Sequence, residues 1–235
     1  SRIDWYYVRN PGILFGVGLP AGFAFSFEIG LFSSLTWLIS AFGDLALGAG
    51  QIVMSYSTIL FTPLMAMSAV TAIVVAKAMA TDGIEAVQQK VRIILALGLG
   101  YVSICFIVTQ GLHDRIPFLF SSNEVVAAMA AGILLISSTY QFPDMVQTVF
   151  TGALRGFRDT RSSMIAMAVS LFGLSIPLGY WLAHLSPWSD MLNVRGLYVG
   201  LGVGLTILAM ILLARYRMTL KKFRNKKLPH PEEVA

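Results

Sequence analysis

Two carboxylates stand where lipid would not tolerate them. Glu28 and Asp144 each fall near the middle of a long apolar run. An ionisable group at the centre of a membrane-spanning helix costs about 2.5–3.5 kcal/mol on insertion scales, so it normally faces a bundle interior or a wet cavity. A carboxylate in such a place can be neutralised by a proton, a sodium ion or an organic cation, and this makes ion-pathway chemistry the default reading. The plain alternative is an acid kept protonated, or one hydrogen-bonded by its neighbours.

The surroundings of Asp144 are unusually polar. Tyr140, Asp144, Gln147, Thr148 and Thr151 recur at intervals of three and four, which stacks them along one side of a helix. Pro143 removes a backbone donor and disturbs the hydrogen bond to the Thr139 carbonyl, so a bare carbonyl oxygen is expected beside the carboxylate. Irregular, oxygen-rich backbone at mid-membrane depth is where transporters hold sodium ions or protons. Glu28 has Ser26 and Ser33 nearby, and Pro20 earlier in the same run predicts a kink. If the two helices are neighbours, Glu28 and Asp144 share one ion or proton; the sequence leaves open whether they meet. Phe23, Phe25, Phe27, Phe61, Tyr140 and Phe142 could line a cavity for a flat organic cation through cation–π contacts, against the competing reading of each as core or lipid-facing.

The elements that must position these groups are membrane helices. With 56% hydrophobic and 12% charged residues and a mean hydropathy of +0.73, the chain is too apolar for an ordinary soluble domain. Six apolar runs, at 12–40, 45–78, 91–111, 125–153, 162–184 and 196–215, are each long enough to cross a bilayer. Gly, Pro and polar residues punctuate them. The expected organisation is a lead-in at 1–11, a six-helix transmembrane lobe at 12–217 and a basic tail at 218–235, giving an all-α membrane fold.

The basic residues set the orientation. Of the 17 Lys and Arg, all but Arg115 and Arg195 fall before the first run, in or flanking the second and fourth connections, or at the end of the sixth run and beyond it. That alternation is what the positive-inside rule requires of an even number of crossings with both termini in the cytoplasm. The formal charge of +5 therefore reads as topology, and a nucleic-acid partner is excluded because these residues do not form a folded basic face. Trp5, Tyr6, Tyr7, Trp181 and Trp188 read as interfacial belt residues. The single Cys105 excludes an internal disulfide and argues against a Cys-ligated metal. The Gly12/Gly16, Gly18/Gly22 and Gly196/Gly200/Gly204 spacings, with Gly98 and Gly100, read as close helix packing. Ser1 stands where a start Met would be expected, and the chain reads as a piece of something longer.

The segments GLPAGFAFSFE, ending at Glu28, and YQFPD through GALRGFRDT, running from Tyr140 to Thr160, resemble the seventh and tenth helices of the multidrug and toxic-compound extrusion (MATE) transporters, in their NorM-like bacterial branch. The six runs in order resemble helices seven to twelve. The resemblance implies one lobe of a twelve-helix, two-lobe exporter of the bacterial inner membrane, with a six-helix N-terminal lobe as its missing partner. It also implies an activity: antiport of small organic cations against sodium ions or protons, with no cofactor beyond that coupling ion. By the same resemblance, Glu28 and Asp144 are the cation or sodium-ion site, and Tyr140, Gln51, Phe61 and Gln147 are candidate cation or substrate contacts. Two departures set limits. Gly50 stands where the family commonly has a histidine before the glutamine, and near Ser122 and Asn123 only Glu124 is charged. Substrate preference is therefore not carried over.

Three rivals were weighed. A lipid-linked oligosaccharide flippase of the same superfamily would favour intramembrane basic residues, whereas this chain places acids there. A membrane aspartyl protease would also use two helical carboxylates, but Pro143-Asp144 and Gly43-Asp44 do not match its motif, and His113, His184 and His230 all sit at run ends or in the tail, so no enzyme is expected. A non-transporting fragment is the third.

Overall fold

The apolar runs all become helices in a computed structural model, which describes residues 11–225, less the side chains at 11–17, 21, 25, 190 and 191. The expectations placed on Arg2, Trp5, Tyr6, Tyr7, Arg9, Gly12/Gly16, the Phe25 side chain, Lys226, Lys227 and His230 lie outside the described residues. The elements are α1 (Pro11–Ser40), α2 (Asp44–Thr81), α3 (Gly83–Leu112), a 3₁₀ turn (Ile116–Leu119) and α4 (Glu124–Gly156). After these come α5 (Thr160–Met167), a π-helical stretch (Ala168–Ser175), α6 (Ile176–His184), α7 (Ser189–Leu192) and α8 (Val194–Asn225). Among the described residues six helices are long and apolar enough to cross a membrane, α5 to α6 counting as the single span Thr160–His184.

Helix ends follow local chemistry. Asn123 caps α4, its Oδ1 accepting from the backbone N–H groups of Val125 at 3.0 Å and Val126 at 3.3 Å, a motif worth about 1 kcal/mol. At the other end Arg158 adopts φ +63°. Its N–H donates to the Arg155 carbonyl at 3.0 Å and that of Asp159 to the Leu154 carbonyl at 2.9 Å, the double bond of a Schellman stop. Gly83, at φ +80°, makes the break between α2 and α3, so α3 starts eight residues ahead of the expected 91. Polar Gln88, Gln89 and Lys90 end the apolar run without ending the helix.

The bundle is built around α4, which packs on α2, α3 and α8. Small residues set the approach: a methyl added at Gly152 would strike the Ser68 carbonyl, and one at Gly156 the Ala72 carbonyl at 2.7 Å. The Gly196/Gly200/Gly204 stripe of α8 meets Ala183, Gly179 and Ser175 of the fifth span, backbone to backbone at Gly200 and Gly179, as a small-xxx-small seam should. Gly98 lies under Met145 Sδ. Gly18, Gly22 and Gly100 differ from expectation: a methyl there would meet nothing within 4 Å among the described residues.

Candidate functional site

All six spans contribute side chains to one interior cavity of about 340 Å³. From α1 come Glu28, Phe32, Ser33 and Thr36, and from α2 Gln51, Met54, Ser57 and Phe61. Tyr101 closes it from α3, Met167 and Leu171 from the fifth span, and Leu201, Leu205 and Leu208 from α8. Tyr140, Gln141, Asp144 and Gln147 enter from α4, because offsets of three, four and seven from Tyr140 and Gln141 hold them on one face. Likewise Gln51, Met54, Ser57 or Thr58, and Phe61 descend one face of α2. The six residues singled out from the sequence, Glu28, Asp144, Tyr140, Gln51, Phe61 and Gln147, thus face a common space, and the two acids lie on the same cavity wall system.

Both acids are half-buried, and Glu28 lies within Coulombic reach of Asp144 and of Arg155. Gln147 Nε2 donates to Asp144 Oδ1 at 3.0 Å and approaches Thr148 Oγ1 at 3.1 Å, while Thr151 Oγ1 donates to Gln147 Oε1 at a long 3.5 Å. A carboxylate with one amide donor keeps acceptor sites free, since an ionised carboxylate has about four lone-pair positions. Tyr140 and Gln51 line the same cavity as the two acids. Among the described residues no Lys or Arg lines this cavity.

Helix α4 runs through Pro143, and Pro143 and Thr139 line a neighbouring groove between α4 and α8, with Tyr198, Gly202 and Thr206. Residues 139 and 144 are five apart, about 140° around the helix at 3.6 residues per turn, so Thr139 is turned away from the face that carries the carboxylate. The aromatic set divides. Phe61 and Tyr140 line the acid cavity, Phe27 packs edge-on against Phe172 and Phe142 against Phe106, and Phe23 is 53% exposed.

The cavity also holds polar groups that the sequence reading did not select: Thr36, Ser57, Tyr101 and Gln141. Gln141 is buried, and its Nε2 has no hydrogen-bond partner among the described residues. It stands three residues before Asp144, so inspecting the i−3 neighbour of the acid would have found it. Tyr101 donates to the Leu60 carbonyl at 2.9 Å, three residues before Pro63, where the proline disrupts the helical ladder.

The family model MatE matches residues 20–181. The multidrug resistance protein MdtK of Yersinia pestis (strain Pestoides F) is 29% identical over 219 residues, covering 93% of this chain and 47% of that protein. MdtK of Edwardsiella ictaluri is 28% identical over 214 residues, covering 91% and 46%. The chain spans about half the length of the curated relatives it matches. Among solved structures, the Vibrio cholerae MATE transporter VcmN in its bent form superposes with a TM-score of 0.84 at 18% identity, over 96% of this chain and 51% of that one. The eukaryotic MATE transporter AtDTX14 does so at 0.81 and 18%, over 97% and 52%. At these identities the structural likeness establishes the fold.

Proposed function

The chain belongs to the MatE family of membrane transporters, and from that premise we propose that it is the C-terminal lobe of a NorM-like antiporter. In this reading the whole protein exports organic cations across the bacterial inner membrane, with both termini of the lobe in the cytoplasm, in exchange for sodium ions or protons. The observation that carries the proposal is the meeting of Glu28 and Asp144 in one cavity walled by all six spans.

The chemistry follows from that enclosure. Two carboxylates in a mostly apolar chamber repel one another and are costly to leave uncompensated. A proton or sodium ion bound between them relieves both terms, with Gln147 orienting Asp144, and Tyr140 and Gln51 supplying further oxygens. Phe61 offers a ring face to an organic cation. Cation and drug then favour different lobe orientations, and by linkage each lowers the occupancy of the other by the same factor. The relatives named as multidrug resistance proteins support the substrate class. A flippase for a large anionic headgroup is set aside, because such a group would meet two acids and no Lys or Arg in this cavity.

The test is ethidium efflux from cells carrying the full-length protein, with Glu28→Gln and Asp144→Asn at matched abundance. Each amide keeps the shape and loses the charge, and each is expected to cut coupled efflux by about tenfold or more, the equivalent of about 1.4 kcal/mol. Unchanged efflux by an abundant Asp144→Asn protein overturns the proposal.

A further inference from the structure

A second chamber, of about 220 Å³, adjoins the acid cavity. The two share Glu28, Phe61, Gln147 and Met167 as walls. Beyond this partition the second chamber continues along α4 past Thr148 and Thr151 to Arg155, with Ala24 of α1 and Met65, Ser68 and Ala69 of α2 opposite. Arg155 is exposed and is followed by Arg158 and Arg161, the cluster that the positive-inside rule assigns to the cytoplasm. Asp144 to Arg155 is eleven residues, or about 16 Å at 1.5 Å per residue, roughly half of a 30 Å hydrocarbon core.

The polar groups along this path are connected. Asp144, Gln147, Thr148 and Thr151 form a continuous run of hydrogen bonds, with the Gln147 amide in the middle donating towards Asp144 and accepting from Thr151. Gln147 stands in the partition, and its amide offers an oxygen or a donor to either chamber as it turns. Unpaired polar groups at this depth are expensive, and a hydroxyl-lined chamber of this volume has room for several waters.

Resting on the antiport reading above, we propose that this second chamber is the inner vestibule through which the coupling cation passes between the acids and the cytoplasm. Gln147 is the positioning residue at its threshold, and Arg155 sits at its mouth. The path supplies hydroxyl and amide oxygens at every helical turn, so a cation leaving Glu28 and Asp144 exchanges carboxylate oxygens for neutral ones before reaching water. Arg155, within Coulombic reach of Glu28, opposes entry of a second cation while the first is still in place.

The test uses the full-length protein with Cys105 replaced by Ala and a single new thiol from Thr151→Cys. The probe is methanethiosulfonate ethylammonium, a small cationic thiol reagent. The control is Val149→Cys on the same helix, at a position that is buried and lines neither chamber. In inside-out vesicles the thiol at 151 is expected to react about tenfold or more faster than that at 149, and faster than from the outer face. Its modification is expected to block ethidium efflux until a reducing agent removes the adduct. Equal, slow labelling at 151 and 149 overturns the vestibule. Labelling that is fast only from the outer face overturns its direction, and fast labelling without a block removes it from the transport path. Failure of the antiport reading is recognised separately, by unchanged efflux in Glu28→Gln and Asp144→Asn with labelling at 151 intact.

Discussion

Asp159 carries an ion pair that, among the described residues, ties two sequence-distant parts of this chain together. Its Oδ2 accepts from Arg215 Nε at 2.7 Å, joining the turn after α4 to the far end of α8. Burial pushes the Asp159 carboxyl up, but the Arg215 and Ser162 hydrogen bonds and the Arg215 charge outweigh it and hold the group below its ordinary value of 3.8. A lowered folded-state value means that the stabilisation is fully present above 3.8 and is lost as pH falls through the folded value. The Arg215 side chain is 44% exposed, so after solvent screening the pair is worth at most about 1 kcal/mol. Asp159→Asn should therefore lower the melting temperature of the detergent-solubilised protein by a few degrees at neutral pH. The gap should close as pH falls below 3.8 and through the lowered folded-state value; a gap independent of pH would assign the effect to something other than this charge. Lys90 and Asp82, 2.6 Å apart at the mouth of the α2–α3 turn, also hold the Asp82 carboxyl low, chiefly through the Lys90 hydrogen bond, but that pair stands in open solvent. At this scale the two intramembrane acids were legible from their cost alone. That they share one cavity was not, because it depends on α1 and α4 being brought together by tertiary packing.

Among the elements, the seam between α6 and α8 tolerates little change. A methyl at Gly200 would overlap the backbone of Gly179, whereas one at Gly100 would meet nothing within 4 Å. Gly200→Leu should push the helices apart at a cost of about 1–3 kcal/mol or more, a drop of roughly 2–12 °C in melting temperature. Gly100→Ala should leave it unchanged or raise it slightly through helix propensity; equal effects of the two would mean that the seam is not tight. The long apolar runs made the existence of every span readable. Their ends were not, since α3 begins among polar residues at Gly83 and α8 continues to Asn225, beyond the expected 215: a helix does not stop where hydrophobicity does. The π-helical stretch left no mark in the sequence either. Its residues, AVSLFGLS, read as an ordinary apolar run. The glycines of α1 show the opposite error, a spacing that promised a seam where Gly18 and Gly22 face open space.

For the whole lobe, the six spans and the split of basic residues predict alternating connections. Alkaline phosphatase fused after Asp114 or after Trp188 should be active, and fused after Asp82, Arg158 or Arg224 inactive, in cells making the full-length protein; activity at 82 or 158 would invert the topology and, with it, the direction of the vestibule. The span from Thr160 to His184 touches the acid cavity with one end and the seam with α8 with the other. Met167 and Leu171 face the acid cavity, and Gly179 and Ala183 face α8. The π-helical stretch begins right after Met167 and ends before Gly179, and at its end the Ile176 N–H donates five residues back to the Leu171 carbonyl. A wide turn of this kind amounts to an extra residue in the helix, and one residue is about 100° of rotation. The stretch thus acts as a phase shifter, setting the angular offset at which a wall of the acid cavity and a packing face of the scaffold can be served by one continuous rod.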